Sequence, residues 1–190
     1  MVEFGLEPDA VSYQIMIGKY CKDHKVDCAL MLLNNMIQCN VSPSVHSYTA
    51  LIAALYKENR LAEVDVLYNK MLDNGLVPDH VLFFTLVNNH PRGSEITLAC
   101  TFLRAIAKNG CGINLSNIPS TTSQKVTTNI ISDIDHLLGE IVARNLSLAN
   151  VAFNIYMIAL CLGGKLDSAL LAWTRWQAFL FSLHCQLITL

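Results

Sequence analysis

The chain has 190 residues, of which 53% are hydrophobic and only 15% charged, with a formal net charge of −2 and a pI near 6.3. So apolar a composition fits helices packed on both sides by neighbours, and the charge total runs against a polyanionic partner unless the bases are segregated on one face. Seven cysteines, an odd number with no CxxC, exclude a disulfide framework and a structural zinc site, and point to a reducing compartment.

At the start, Met1-Val2-Glu3-Phe4 lacks the basic stretch and apolar core of a secretory signal and the pattern of a transit peptide. Gly5-Leu6-Glu7-Pro8-Asp9 reads as the end of a preceding repeat, so residues 1–9 suggest a truncation. Pro8-Asp9, Pro43-Ser44 and Pro78-Asp79 then follow at intervals of 35, each with an aromatic four places on, at Tyr13, Tyr48 and Phe83. The same register joins Ala29, Val64, Ala99, Ile134 and Ala169, and joins Tyr13 to Phe153. A period of this length marks a solenoid whose units bury their apolar faces against one another.

The first unit, 10–44, carries a stripe of Tyr13, Met16, Ile17 and Tyr20 and another of Val26, Ala29, Leu30, Leu33, Met36 and Ile37, which predict two short helices. Turns are expected at Asp23 to Lys25, at Asn59 to Leu61 in the second unit (45–79) and at Gly163 to Lys165 in the fifth (150–184). The third unit, 80–114, is degenerate, with Pro91 at the end of its first helix. The fourth, 115–149, is weak, and 115–128 is expected to be the least ordered stretch. Residues 185–190 form a tail. Five units leave no room for a catalytic domain. The uncharged run 145–164 contains three asparagines and stays in repeat phase, and the apolar end from Ala178 is too short to cross a bilayer, so no membrane span is expected.

Val11-Ser12-Tyr13-Gln14-Ile15-Met16-Ile17, then Tyr20-Cys21-Lys22, Ala29-Leu30, Met36 and Asn40-Val41-Ser42-Pro43-Ser44, resemble the pentatricopeptide repeat family. The likeness is strong over 10–79 and 150–172, fair over 80–114 and weak over 115–149. The resemblance implies a plant organellar member, an all-α, right-handed α-solenoid of 35-residue hairpins, and first helices lining a groove for single-stranded RNA. It implies base reading by the fifth and last residues of each unit. These are Gln14 with Ser44, Thr49 with Asp79, Phe84 with Asn114, Pro119 with Ala149, and Asn154 with His184. Thr49 with Asp79 matches a family combination associated with guanine; the others depart from it. Second-position side chains, Val11, His46, Val81, Ser116 and Val151, would wedge between bases.

The placement of charge speaks independently for an anionic ligand. The first thirteen residues of the five units hold five bases, Lys19, Lys22, Lys57, Arg92 and Lys125, and no acids; all fifteen acids lie elsewhere. Lys22, Lys57 and Arg92 are 35 apart, a spacing suited to successive phosphates, although a base closing a helix also answers the dipole, at about 0.3 to 1 kcal/mol.

Other chemistry is thin. The six histidines show no ligand spacing, so neither a metal nor another cofactor is expected, and the zinc deaminase signature is missing. Asp133, Asp135 and Glu140 read as a solvated face rather than a nuclease site. Asn114-Leu115-Ser116 and Asn145-Leu146-Ser147 are chance glycosylation patterns. Cys21 and Cys161 hold one repeat position and read as small buried side chains. Trp173, Trp176, Phe179 and Phe181 read as a terminal cap or a site for protein partners. The reading is a non-enzymatic RNA-binding protein of the mitochondrion, or else the chloroplast, acting in RNA processing, stability or translation, with no small-molecule substrate. The alternative is a helical-repeat scaffold for other proteins.

Overall fold

The computed structural model describes residues 8–89, 92–113 and 127–188, which form α-helices and, among the described residues, no strand. The chain divides into two compact units, Met1–Asn89 and His90–Leu190. The first holds α1 (Ala10–Lys22), α2 (Val26–Gln38), α3 (Val45–Lys57), α4 (Leu61–Asp73) and α5 (His80–Val87). The second holds α6 (Glu95–Ala105), α7 (Thr127–Arg144), α8 (Leu146–Leu162) and α9 (Leu166–Ile188).

The recurring dipeptides start helices. Asp9, Ser44 and Asp79 are the N-caps of α1, α3 and α5, and each side chain accepts from the backbone N–H three residues on: Ser12 at 2.8 Å, Ser47 at 3.3 Å and Leu82 at 2.8 Å. The cap satisfies an N–H that the helix leaves unpaired. The preceding prolines suit a position where no N–H is needed.

Helix ends repeat as regularly. After α2, Asn40 takes φ +56, with Val41 N–H donating to Met36 O and Asn40 N–H to Ile37 O. After α4, Gly75 at φ +74 does the same with Leu76 and Met71. The turns within hairpins use the same closure around His24 (φ +57), Asn59 (φ +57) and Gly164 (φ +69). A left-handed residue after the last turn lets two orphan carbonyls be satisfied. These turns lie where the polar breaks predicted them.

The predicted register carries the core. Ala29, Val64, Ala99, Ile134 and Ala169 are all buried, as are Tyr13, Tyr48, Phe83 and Phe153. Tyr48 Oη accepts from Asn74 Nδ2 at 2.8 Å and the Tyr13 hydroxyl donates to Cys39 Sγ at 3.7 Å, so each tyrosine ties a first helix to the end of its second. In the first unit α1 packs on α2 and α3, and α3 on α2, α4 and α5, the nearest-neighbour pattern of stacked hairpins. In the second, α8 packs on α6, α7 and α9, and Trp176 stacks on Phe153 with centroids 4.4 Å apart.

Several boundaries differ from expectation. α5 stops after 8 residues, where the Asn89 N–H donates to Leu86 O, three back, and the Asn89 side chain takes the Thr85 carbonyl that a continuing helix would need. Arg92 therefore does not close a helix as Lys22 and Lys57 do. α6 runs on through one π-helical turn, Ile106–Gly110. α8 starts at Leu146, four residues before the expected 150, because the Asn145 side chain caps it by accepting from Leu148 N–H at 3.2 Å. α9 passes through position 185, set apart as a tail, to Ile188. Cys161 is exposed and Cys21, which lines the space between α1 and α3, is only half-buried, so neither is the packed core side chain expected. Residues 1–7 and the stretch 114–126, which holds most of the segment expected to be least ordered, lie outside the described residues. No described helix is long and apolar enough to cross a membrane.

Candidate functional site

In the first unit, α1 and α3 enclose a groove of about 490 Å³. Gln14, Ile15, Gly18, Lys19, Cys21 and Lys22 line it from α1, and His46, Ala50, Ala54 and Lys57 from α3. Gln14, Gly18 and Lys22 succeed one another at i, i+4 and i+8, and His46, Ala50 and Ala54 do likewise, so each helix presents one straight stripe. The lining holds three lysines and no acid. Lys19 is paired with Asp23 at 2.9 Å, while Lys22 and Lys57 are exposed.

The groove brings together five of the residues assigned from the sequence to an RNA-binding face: Gln14, His46, Lys19, Lys22 and Lys57. Ser44 adjoins it, because its hydroxyl donates to Gln14 Oε1 at 3.3 Å while accepting from Ser47 N–H. That donation leaves the Gln14 amide N–H groups for an outside acceptor. Val11 is 61% exposed on the same helix.

Thr49 and Asp79 are arranged differently. Thr49 is buried, and its Oγ1 donates to Val45 O at 2.9 Å. One oxygen of the Asp79 carboxylate caps α5, accepting from Leu82 N–H. Val81 and Phe84 stand half-exposed on α5. In the second unit Asn154 is exposed and Val151 half-buried on α8, and Arg92 is exposed at the turn before α6. There the Gly93 N–H, and more weakly Arg92, hold the Glu95 carboxyl below the usual carboxylate range. Asn114, Ser116, Pro119 and Lys125 lie outside the described residues, as does the side chain of His184.

Sequence reasoning missed Gly18, Cys21, Ala50 and Ala54. The i, i+4 spacing from Gln14 through Gly18 to Lys22 was a legible signal for the first of them. Cys21 sits among lysines, which would activate a thiol, yet burial and then Glu58 outweigh Lys57 and push it up to about 11. It stays a neutral thiol at physiological pH. Asp135 and Glu140 pair with Arg175 and Arg144, each at 3.6 Å, consistent with a solvated face. Among the described residues no group of His, Cys, Asp or Glu could hold a metal ion.

Hairpins that restart at 10, 45 and 80, with one cap and one turn chemistry, define a helical-repeat protein. The pattern of the PPR repeat family matches residues 8–57 and 43–90. A pentatricopeptide repeat-containing protein of Arabidopsis thaliana is 39% identical over 137 residues, which are 72% of this chain and 13% of that protein. The mitochondrial 15S rRNA processing factor of Yarrowia lipolytica is 30% identical over 100 residues, 50% of this chain and 13% of that one. The crystal structure of the pentatricopeptide repeat protein PPR10 from maize aligns over 90% of this chain and 24% of its own, at 18% identity and a TM-score of 0.46. The chain belongs to the pentatricopeptide repeat family, and it spans about an eighth of the length of these two curated relatives.

Proposed function

We propose that the chain binds single-stranded RNA, with the groove between α1 and α3 as one nucleotide seat. The observation that carries this reading is the acid-free lining: three lysines and a histidine border a groove in a protein whose net charge is −2. Segregation of that kind serves a polyanion, since each neutralised phosphate releases a counterion. Lys22 and Lys57 act as phosphate contacts. Gln14, oriented by Ser44, reads a base through its amide, and His46 lies against the base face. Gln14 and Ser44 rank ahead of Thr49 and Asp79 as a reading pair, because Gln14 lines the groove while Thr49 is buried with its hydroxyl donating to its own helix.

The setting is mitochondrial RNA processing, stability or translation, with the chloroplast as the alternative. The name of the Yarrowia relative, a mitochondrial rRNA processing factor, supports the former. Repeat boundaries at 10, 45, 80, 115, 150 and 185 complete the proposal, with no catalytic residue and no cofactor required.

Binding of labelled RNA over a range of salt concentrations tests it. Replacing Lys22 and Lys57 by Ala should weaken binding to all sequences and flatten the salt slope by about 1.4, at roughly 0.7 per phosphate contact. Adding Arg92→Ala should take the loss to about 2. Unchanged affinity and slope would reassign these residues to helix capping, and a salt-independent affinity for a protein ligand would favour the scaffold.

A further inference from the structure

Gly18 is unexplained by the fold. It lies in the interior of α1, where glycine costs about 0.5–1 kcal/mol relative to alanine. Its backbone is not left-handed, so no turn or cap requires it, and a Cβ built there would meet nothing within 4 Å, so no close helix approach requires it either. What Gly18 does have is the groove: it sits between Gln14 at one end of the α1 stripe and Lys22 at the other. Across from it α3 contributes Ala50 and Ala54, likewise too short to fill the space.

We infer that Gly18 is a clearance residue, keeping the middle of the groove open so that one nucleotide can span from the Gln14–His46 end to the Lys22–Lys57 end. Gln14 and Lys22 are eight residues apart, about 12 Å along the helix at 1.5 Å per residue. A base held by the amide and imidazole therefore needs its ribose to cross the Gly18–Ala50 floor before its phosphate reaches the ammonium groups. That floor offers no hydrogen-bonding side chain, which suits the low-polarity face of a sugar ring. A groove of 490 Å³ falls within the range of about 300–1,000 Å³ that holds a compact ligand. The inference rests on the RNA-binding reading and assigns a positioning role, by absence of bulk, to a residue that touches neither end.

The test measures affinity and stability together on the whole chain, with oligo(U), oligo(A), oligo(C) and oligo(G) as probes. Gly18→Leu should weaken binding of the preferred oligonucleotide about tenfold or more, the scale of one lost nucleotide contact. Its thermal unfolding midpoint should stay level or rise, because leucine is the better helix former and its side chain enters open space. Gly18→Ala should fall between Leu and wild type in affinity. Wild-type binding that Gly18→Leu retains within about twofold, less than one such contact, would overturn the inference and leave the RNA reading standing. A lowered unfolding midpoint would show that the position is packed after all, which also overturns it. Failure of the wild-type chain to bind any of the four would overturn both.

Discussion

At the scale of single residues, the left-handed positions show what the fold tolerates. His24 and Asn59 occupy the same place in successive hairpin turns as Gly164 does in a later one. A Cβ there costs roughly 1–2 kcal/mol, of which part is returned because glycine has more freedom to lose on folding. His24→Gly is therefore expected to stabilise the protein by about 0.5–1 kcal/mol, seen as a raised urea midpoint, with a smaller gain for Asn59→Gly, since asparagine adopts this conformation more readily. Cys21 gives a second residue-level expectation. With its thiol pushed up to about 11, alkylation by iodoacetamide should be slow at neutral pH and accelerate as pH approaches that value. Rapid reaction at neutral pH would mean that the neighbouring lysines, not burial, govern it.

At the scale of elements, the caps of α1, α3 and α5 do one job with two chemistries. The Asp79 carboxylate starts the short α5, and Asp79→Ala should cost about 1 kcal/mol in denaturant unfolding. Asp9 and Ser44 differ in how they respond to acid. Ser12, by side chain and backbone, holds the Asp9 carboxyl below its ordinary range, so its contribution is present at neutral pH and is lost as pH falls below about 4. The Ser44 hydroxyl does not titrate. Acidification should therefore speed amide exchange, corrected for its intrinsic pH dependence, at Ser12 and leave Ser47 as it was. Equal change at both would mean that the carboxylate is not what holds the start of α1.

For the whole molecule, nearest-neighbour packing sets how damage spreads. Leu55 is fully buried in α3, which touches α1, α2, α4 and α5. Leu55→Ala should destabilise the first unit by about 2–5 kcal/mol. In hydrogen exchange the loss of protection should cover α1 to α5 and leave α8, in the second compact unit, near wild type. A uniform loss across both units would show that they unfold as one body.

Much of this protein was determined by the sequence alone. Where α1, α3 and α5 begin, where the hairpins turn and which ladder of residues forms the core all followed from Pro-Asp and Pro-Ser dipeptides, polar breaks and the 35-residue register. Caps, turns and apolar stripes are local chemistry, readable within one hairpin. The tertiary structure decided which side chains meet and which remain reachable, because exposure depends on what a helix 35 residues away leaves uncovered. Gln14 and Thr49 hold the same place in their units, yet the first lines a groove and the second is buried against its own helix. Cys21 and Cys161, read as buried, are half-buried and exposed. Gly18, which the sequence placed only on the stripe between Gln14 and Lys22, gained a meaning once Ala50 and Ala54 were found across the space from it.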